Sequence, residues 1–356
     1  MEGDVIPLSI ADMDFAPDPA IVAALAEQVR QPLVYPLPYT TSGVAASICD
    51  YYQRAHHVTV PVTAVRIFQS SVAAMYTLFD LLLETGDEVV YFAPSYHHLP
   101  DSVKAAGGRA VPVMLRALEG WHFDVGELRR RVGPRTKALL VCNPHNPTGH
   151  AFSRAQLLDI ATVAAEHDLM IVANELHGRI SYDGAFVPMC SVAGSGLITL
   201  SGATKSHNIS GLGGAFAFSL DEQLIHRLWK RLAGRLPTAG ALALTALVHA
   251  YKADSPWLTA TLAQLDRNRR TISAHLRDHH PAIRFAQPSA TYFSWLDFSA
   301  LRLDGDAAGV VLNRCRVALL PGQEFGAPGT YARLAFATTE QNIRLALARL
   351  TEGLLP

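Results

Sequence analysis

The sequence predicts an α/β protein: a mostly parallel central sheet with helices on both faces, joined to a smaller α+β lobe at the C-terminal end. Three observations lead there. Short apolar runs alternate with amphipathic stretches through the middle of the chain, the pattern of strand–helix units feeding a parallel sheet. The three most polar motifs, 143–149, 174–177 and 201–208, each follow directly on an apolar run. In such sheets ligands collect at the carboxyl ends of the strands, so the shared placement points to one site. After about residue 255 the alternation gives way to a long helical pattern and separated strand-like pieces.

Taken in order, apolar runs predict strands over 65–68, 88–92, 138–142, 170–173, 197–200 and 214–219. Helical patterns fall over 73–83, 99–106, 153–167 and 221–232, between or just after them. The second lobe reads as a helix over 258–279, strands over 293–296, 317–319 and 331–336, and a closing helix over 340–352. Ser255-Pro256 marks a hinge or a helix start.

At 356 residues the chain exceeds one ordinary core, so two lobes are expected. Apolar residues make up 49%, charged residues 17%, and the formal net charge is -1. No field of that size draws a nucleic-acid backbone, so nucleic acid is not an expected partner. Cys49, Cys142, Cys190 and Cys315 are far apart and no C-x-x-C or H-E-x-x-H occurs, so neither a disulfide framework nor a metal site is expected. No apolar run approaches the roughly 20 residues of a membrane span. The opening Met1-Glu2-Gly3-Asp4 lacks the basic and apolar regions of a secretory signal. The expected compartment is cytoplasmic.

Among five lysines, Lys205 alone has a setting suited to covalent chemistry. It lies in Ser201-Gly202-Ala203-Thr204-Lys205-Ser206-His207-Asn208, a small, hydroxylated run at a strand end. A lysine held there suits a Schiff base to an aldehyde cofactor. Lys230 and Lys252 fall in helix-like stretches, Lys104 ends a surface helix, and Lys137 leads a strand; all four read as solvated or packed side chains. Asn143-Pro144-His145-Asn146-Pro147-Thr148-Gly149 has the makings of a tight turn. Within it, Asn146 precedes a proline, and its restricted backbone can aim the carboxamide at a phenolic oxygen. Asn174-Glu175-Leu176-His177 follows one strand–helix unit later, and Lys205 one unit after that.

With these residues in view, the sequence resembles the fold-type-I enzymes of pyridoxal 5'-phosphate (PLP), the class I/II aminotransferase superfamily. Within it the sequence is most similar to the MalY/PatB-like cystathionine β-lyase, or C–S lyase, branch. Four features carry the resemblance: Ala11-Asp12-Met13-Asp14-Phe15, the run from Cys142 to Gly149, Glu175-Leu176-His177, and Lys205-Ser206-His207-Asn208-Ile209-Ser210-Gly211-Leu212. The resemblance implies that Lys205 is the Schiff-base lysine and moves the proton at the substrate α-carbon. Asn146 would meet the phenolic oxygen, with His177 on the same side, and Tyr96 would stack on the pyridine ring. Ser70, Ser71 and Val72 would hold the phosphate through a helix N-terminus, with hydroxyls from Ser201 and Thr204. Arg333 would grip the substrate α-carboxylate, a task suited to a bidentate fork, beside Ile10 and Ala11. Tyr35 would reach the phosphate bound by the partner subunit of a homodimer, Tyr39 being the competing choice. The implied organisation is an N-terminal segment (1–44) packing on the small domain and partner subunit, a large PLP-binding domain (45–254) and a small domain (255–356).

The sequence departs from that pattern at several positions. Asn174 stands where the family has an aspartate that keeps the pyridine nitrogen protonated; an asparagine brings no charge, so the ring becomes a poorer electron sink. Transamination leans on that sink more heavily than elimination of a good thiolate does. Ser70 replaces a phosphate-loop glycine, Gly213 and Gly214 stand where many aminotransferases carry an arginine, and Ser9 replaces a tryptophan. The expected activity is therefore α,β-elimination from an L-cysteine S-conjugate or a cystathionine-like thioether. The alternatives are an aminotransferase or another specialised amino-acid reaction, and a regulatory or binding protein with weak turnover.

Overall fold

A computed structural model describes residues 4–36, 38–117, 120–232, 234–252 and 255–354. In chain order its strands are β1 (Ile6–Pro7), β2 (Val65–Phe68), β3 (Glu88–Ala93), β4 (Arg109–Met114), β5 (Arg116–Ala117), β6 (Trp121–His122), β7 (Thr136–Cys142), β8 (Met170–Asn174), β9 (Leu197–Ser201) and β10 (Ala215–Phe218). The second lobe adds β11 (Phe293–Asp297), β12 (Val317–Ala318), β13 (Leu320–Pro321) and β14 (Tyr331–Ala335). The α-helices are α1 (Pro19–Gln28), α2 (Pro38–His56), α3 (Ser71–Leu82), α4 (His98–Ala105), α5 (Val125–Arg131), α6 (Arg154–Glu166), α7 (Glu222–Leu232), α8 (Ala241–Tyr251), α9 (Pro256–His279), α10 (Ala307–Cys315) and α11 (Glu340–Leu354).

Seven strands form the central sheet in the order β2-β10-β9-β8-β7-β3-β4. Its pairings are parallel except where β10 lies antiparallel to both neighbours. Alternate residues feed two separate cores: Val90, Leu139, Val141, Ile171 and Ala173 on one face, and Val89, Ala138, Leu140, Val172 and Ile198 on the other. A strand buried on both faces needs apolar residues at every position, which is why these strands read as continuous apolar runs. Every apolar run of the middle region is a strand of this sheet.

The smaller lobe holds a three-stranded antiparallel sheet, β11-β14-β13, packed with α9, α10 and α11 around Leu265, Ile272, Phe293, Phe336 and Leu347. Ser255 caps α9, accepting from the Leu258 N–H at 3.0 Å, so Ser255-Pro256 is a helix start. The N-terminal segment divides. β1 pairs with β12, and Ile6, Leu8 and Met13 join the small-lobe core. Ile21 instead joins the core of the central sheet. The expected boundary at residue 44 falls inside α2, whose Val44, Ala45, Ile48, Cys49 and Tyr52 form one apolar stripe buried in that same core. All four cysteines are unpaired and buried. Among the described residues no helix is long and apolar enough to cross a membrane.

Candidate active site

The carboxyl ends of β2, β3, β7, β8 and β9 open on one edge of the sheet, and the segments leaving them meet the N-terminal segment and β14. Together they enclose a cavity of about 360 Å³ lined by Ser9, Ile10, Ala11, Ser71, Val72, Tyr96, Cys142, Asn146, Asn174, Leu176, His177, Lys205, Leu320 and Arg333. A second cavity of about 340 Å³ shares Ser71 and Lys205 with it and adds Gln69, Ser70, Thr204, Ser210, Gly211, Gly213, Gly214 and Ala215. Residues spread over more than 320 positions of sequence thus share two adjoining spaces.

Local sequence explains how each wall is built. Ser70 has extended backbone and caps α3, its hydroxyl accepting from Ala73 N–H at 3.3 Å. The next amides of α3 have no partner within the helix and carry its positive end into the adjoining cavity. Opposite, Gly213 has φ +70° and ψ −152°, a conformation open only to glycine. A Cβ there would lie 2.7 Å from the Gln69 carbonyl oxygen, the group that accepts from Gly214 N–H at 2.8 Å. The turn after β7 is fixed by Asn143, whose carboxamide donates to Val187 O (2.8 Å) and accepts from Phe152 N–H (3.1 Å). It presents Asn146, whose carbonyl accepts from Tyr96 N–H at 3.2 Å, so these two cavity residues are held together.

Lys205 Nζ donates to Ala11 O at 2.7 Å and Ser210 Oγ at 3.4 Å, and lies 3.7 Å from an Asp12 carboxylate oxygen. Burial lowers its pKa, with Arg333 adding to the effect and Asp12 opposing it. The loop carrying it is tied to the N-terminal segment by Asn208, which accepts from Met13 N–H (3.1 Å) and donates to Met13 O (2.9 Å) and Phe15 O (2.7 Å). Asn208 has φ +53°, the left-handed region that asparagine tolerates.

Arg333 is buried, and no carboxylate pairs with it among the described residues. Its guanidinium donates to Asn146 Oδ1 (3.0 Å) and Ser9 O (2.8 Å), lies over the rings of Phe293 (4.0 Å) and Phe325 (5.1 Å), and leaves Nε without a partner. Burial brings its pKa down to about 10, so it remains a cation at neutral pH. His177 is buried against Tyr292 and Phe293 with Nδ1 unpartnered; burial, then Lys205 and Arg333, push its pKa down to about 3 and keep it neutral. Asn174 Oδ1 accepts from Leu176 N–H at 3.3 Å.

Two expected residues stand apart. Ser201 lines neither cavity: as the last residue of β9 it is buried, and its hydroxyl donates to Glu175 O at 3.0 Å. Its alternation along the strand sends it into the core rather than into either cavity. Tyr35 is 90% exposed beside exposed Leu33 and Val34, and lines with them a surface cleft that Gln69, Gly211 and Leu212 also border. The side chain of Tyr39, the competing choice, lies outside the described residues.

Four residues to which the sequence assigns no role carry structure here: Asp12, Glu175 and Asn208 inside the motifs, and Tyr292 just before β11. Asp12 and Asn208 are described above. The Tyr292 hydroxyl donates to Ala11 O at 2.9 Å, beside the Lys205 contact. Glu175 is fully buried, accepts from Met189 N–H at 2.6 Å, and burial raises its carboxyl pKa to about 8. Asp12, Glu175 and Asn208 stand inside the motifs that carry the resemblance, whereas Tyr292 has no local signal in the sequence.

Comparison with known proteins agrees with this geometry. The cystathionine beta-lyase PatB of Bacillus subtilis (strain 168) is 29% identical over 363 residues, covering 99% of this chain and 91% of PatB. Protein MalY of Escherichia coli (strain K12) is 27% identical over 358 residues, covering 99% and 92%. The crystal structure of cystalysin from Treponema denticola, which contains pyridoxal 5'-phosphate, shares the fold at a TM-score of 0.93 and 24% identity, over 99% of this chain and 91% of cystalysin. Residues 3–350 match the family described as aminotransferase class I and II. With a match of that extent, a mostly parallel seven-stranded sheet, and a lysine, a buried arginine and a polar cavity at its carboxyl edge, the chain belongs to the aminotransferase class I and II family.

Proposed function

We propose that this chain is a PLP-dependent C–S β-lyase that eliminates a thiol from an L-cysteine S-conjugate or a cystathionine-like thioether. The observation that carries the reading is a buried arginine with no carboxylate partner among the described residues, sharing one cavity with a partly desolvated lysine. The residues present fit the cofactor. The adjoining cavity offers the α3 amides, Ser70 and Thr204 to a phosphate. The main cavity offers Tyr96 to a ring face, and Asn146, whose Nδ2 has no partner among the described residues, to a phenolic oxygen. When bound, the cofactor supplies an aldehyde that captures the substrate amine and a conjugated ring that draws electrons from its α-carbon.

The chain's own side chains supply the rest. Arg333 meets the α-carboxylate, and the anion restores a counter-charge that the buried guanidinium lacks. Lys205 takes the α-proton, a role favoured by a pKa that burial has lowered. Neutral His177 and the packed rings of Tyr292 and Phe293 exclude water at that end. The Cβ–S bond then breaks with the electron pair leaving on sulfur, and addition of water to the remaining carbon skeleton releases pyruvate and ammonia. Asn174 favours this outcome over transamination, because departure of a stabilised thiolate asks less of the ring. Tyr35 from the partner subunit of a homodimer completes the phosphate site in this reading.

The test is an absorbance spectrum of the purified protein soaked with PLP, followed by incubation with L-cystathionine and a pyruvate assay. A near-visible band that Lys205→Ala abolishes, together with pyruvate release, is expected. A band without pyruvate from any thioether, but with conversion of the cofactor to its amine form by an amino donor, would establish the aminotransferase reading instead.

A further inference from the structure

We propose that Asn174 meets the ring nitrogen of the bound cofactor as a hydrogen-bond donor and so holds that nitrogen unprotonated. The inference rests on the reading above that PLP occupies the cavity with its aldehyde at Lys205. In pyridoxal phosphate the ring nitrogen is para to the carbon that bears the aldehyde. A ring with its aldehyde at Lys205 and its phosphate arm toward α3 therefore turns its nitrogen away from the lysine. The strand-end wall of the cavity is formed by Cys142 and Asn174, paired in register at the ends of β7 and β8. The Cys142 thiol is committed to Pro144 O at 3.4 Å, and burial pushes its pKa up to about 11, so it carries no charge.

That leaves the carboxamide of Asn174, and its orientation is forced. Oδ1 accepts from the backbone N–H of Leu176 at 3.3 Å. A backbone N–H is met only by the oxygen of a carboxamide, never by its NH₂, so the group cannot be turned over without losing this bond. Nδ2 has no partner among the described residues and is the group left to the cavity. An NH₂ requires an acceptor: an unprotonated pyridine nitrogen is one, and a pyridinium N–H is not.

The surroundings act in the same direction. A carboxylate beside the ring would hold a proton on it, and among the described residues none lines the cavity. Glu175, next in sequence, turns its side chain to Met189 N–H, and burial raises its pKa to about 8, so the carboxyl is neutral at neutral pH. Asp12 lies beside Lys205. Once the aldehyde has taken Lys205, the charged side chain that still lines the cavity is the Arg333 cation, which disfavours a further positive charge on the ring. The consequence is a ring that draws electrons weakly, suited to expelling a good leaving group.

The test is nitrogen NMR of the holoprotein loaded with PLP carrying ¹⁵N in the ring, with the free labelled cofactor titrated as the reference for both protonation states. The wild-type signal is expected at the unprotonated position and to stay there across the neutral range. Asn174→Asp keeps one oxygen on Leu176 N–H and offers the other to the ring, so its signal is expected to move to the protonated position. A protonated signal in wild type overturns the inference even if Asn174→Asp cannot be loaded, as does a wild-type signal that the substitution leaves in place. These results leave the cofactor reading intact. A protein that gains no Lys205-dependent near-visible band overturns the cofactor reading and the inference with it.

Discussion

Arg333 shows what one residue can reveal. A buried cation without an anionic partner is costly to keep, and among the described residues Arg333 is met by two neutral acceptors and two ring faces. The arginine-specific fork is the reason to expect that Arg333→Lys raises KM for an amino-acid substrate by roughly 10–100-fold, about 1.4 kcal/mol per tenfold, with a smaller change in kcat. Steady-state kinetics check this, and an unchanged KM would remove Arg333 from carboxylate binding. Buried titratable groups set a second expectation. His145, His177 and His207 have pKa values pushed from 6.5 to about 3 by burial, so stability falls as pH drops below 6.5, where the unfolded chain binds protons that the folded one does not. Glu175 runs the other way. Its pKa is raised from 4.5 to about 8, so the stability it contributes is complete below 4.5 and is lost as pH climbs through 8. Between 4.5 and 6.5 three imidazoles outweigh one carboxyl, each contributing about 1.4 kcal/mol per pH unit. These groups place the maximum near pH 6.5. Glu175→Gln is expected to flatten the alkaline decline, read as urea midpoints across pH; parallel curves for the two proteins would refute it.

At the scale of elements, the loops that follow the strands are held by single residues with no freedom to vary. Gly213 approaches Gln69 so closely, in a glycine-only conformation, that Gly213→Ala is expected to cost about 1–3 kcal/mol and to speed loss of the cofactor. Urea titration and the decay of the near-visible band measure the two effects; an alanine variant that matches wild type in both would show that the loop has room to yield. The elements also show what patterning reveals. The strands of the central sheet were legible because burial on both faces demands an unbroken apolar run, and six of the seven stood out in the sequence. The seventh, β4, contains Pro112, which an edge strand accommodates and a central strand does not, so its local signal is weak. Helices α1, α2, α5, α8 and α10 carry no matching helical signal in the sequence reading. Helix α8 is apolar nearly all round because it is buried between α1 and α2 on one side and the sheet core on the other, which erases the amphipathic period.

For the whole molecule, the exposed run of Leu33, Val34 and Tyr35 is the outstanding surface feature beside the cavity lined by Ser70, Ser71 and Thr204. Three consecutive exposed apolar residues bordering that cleft fit a segment that reaches across a dimer interface. The protein is expected to sediment as a dimer. Tyr35→Ala and Lys205→Ala subunits, each poorly active alone, are expected to regain activity on mixing, because a hybrid dimer holds one site with both residues intact. Mixtures that stay inactive after subunit exchange would show that Tyr35 serves its own subunit, and a Tyr35→Ala protein fully active alone would show that it serves neither site.

The sequence by itself determined the alternation of strand and helix, the change of architecture near residue 255, and the three motifs at strand ends, because each follows from local periodicity and from turn chemistry. It also carried Lys205, Asn146, Asn174, His177 and Arg333 as candidates. Only the tertiary structure decided that Ser201 points into the core, that the N-terminal segment splits between two lobes, and that Asp12, Tyr292 and Asn208 gather around Lys205. Those outcomes depend on which distant backbone a side chain meets, and contacts across nearly three hundred residues leave no periodic trace in the chain that makes them.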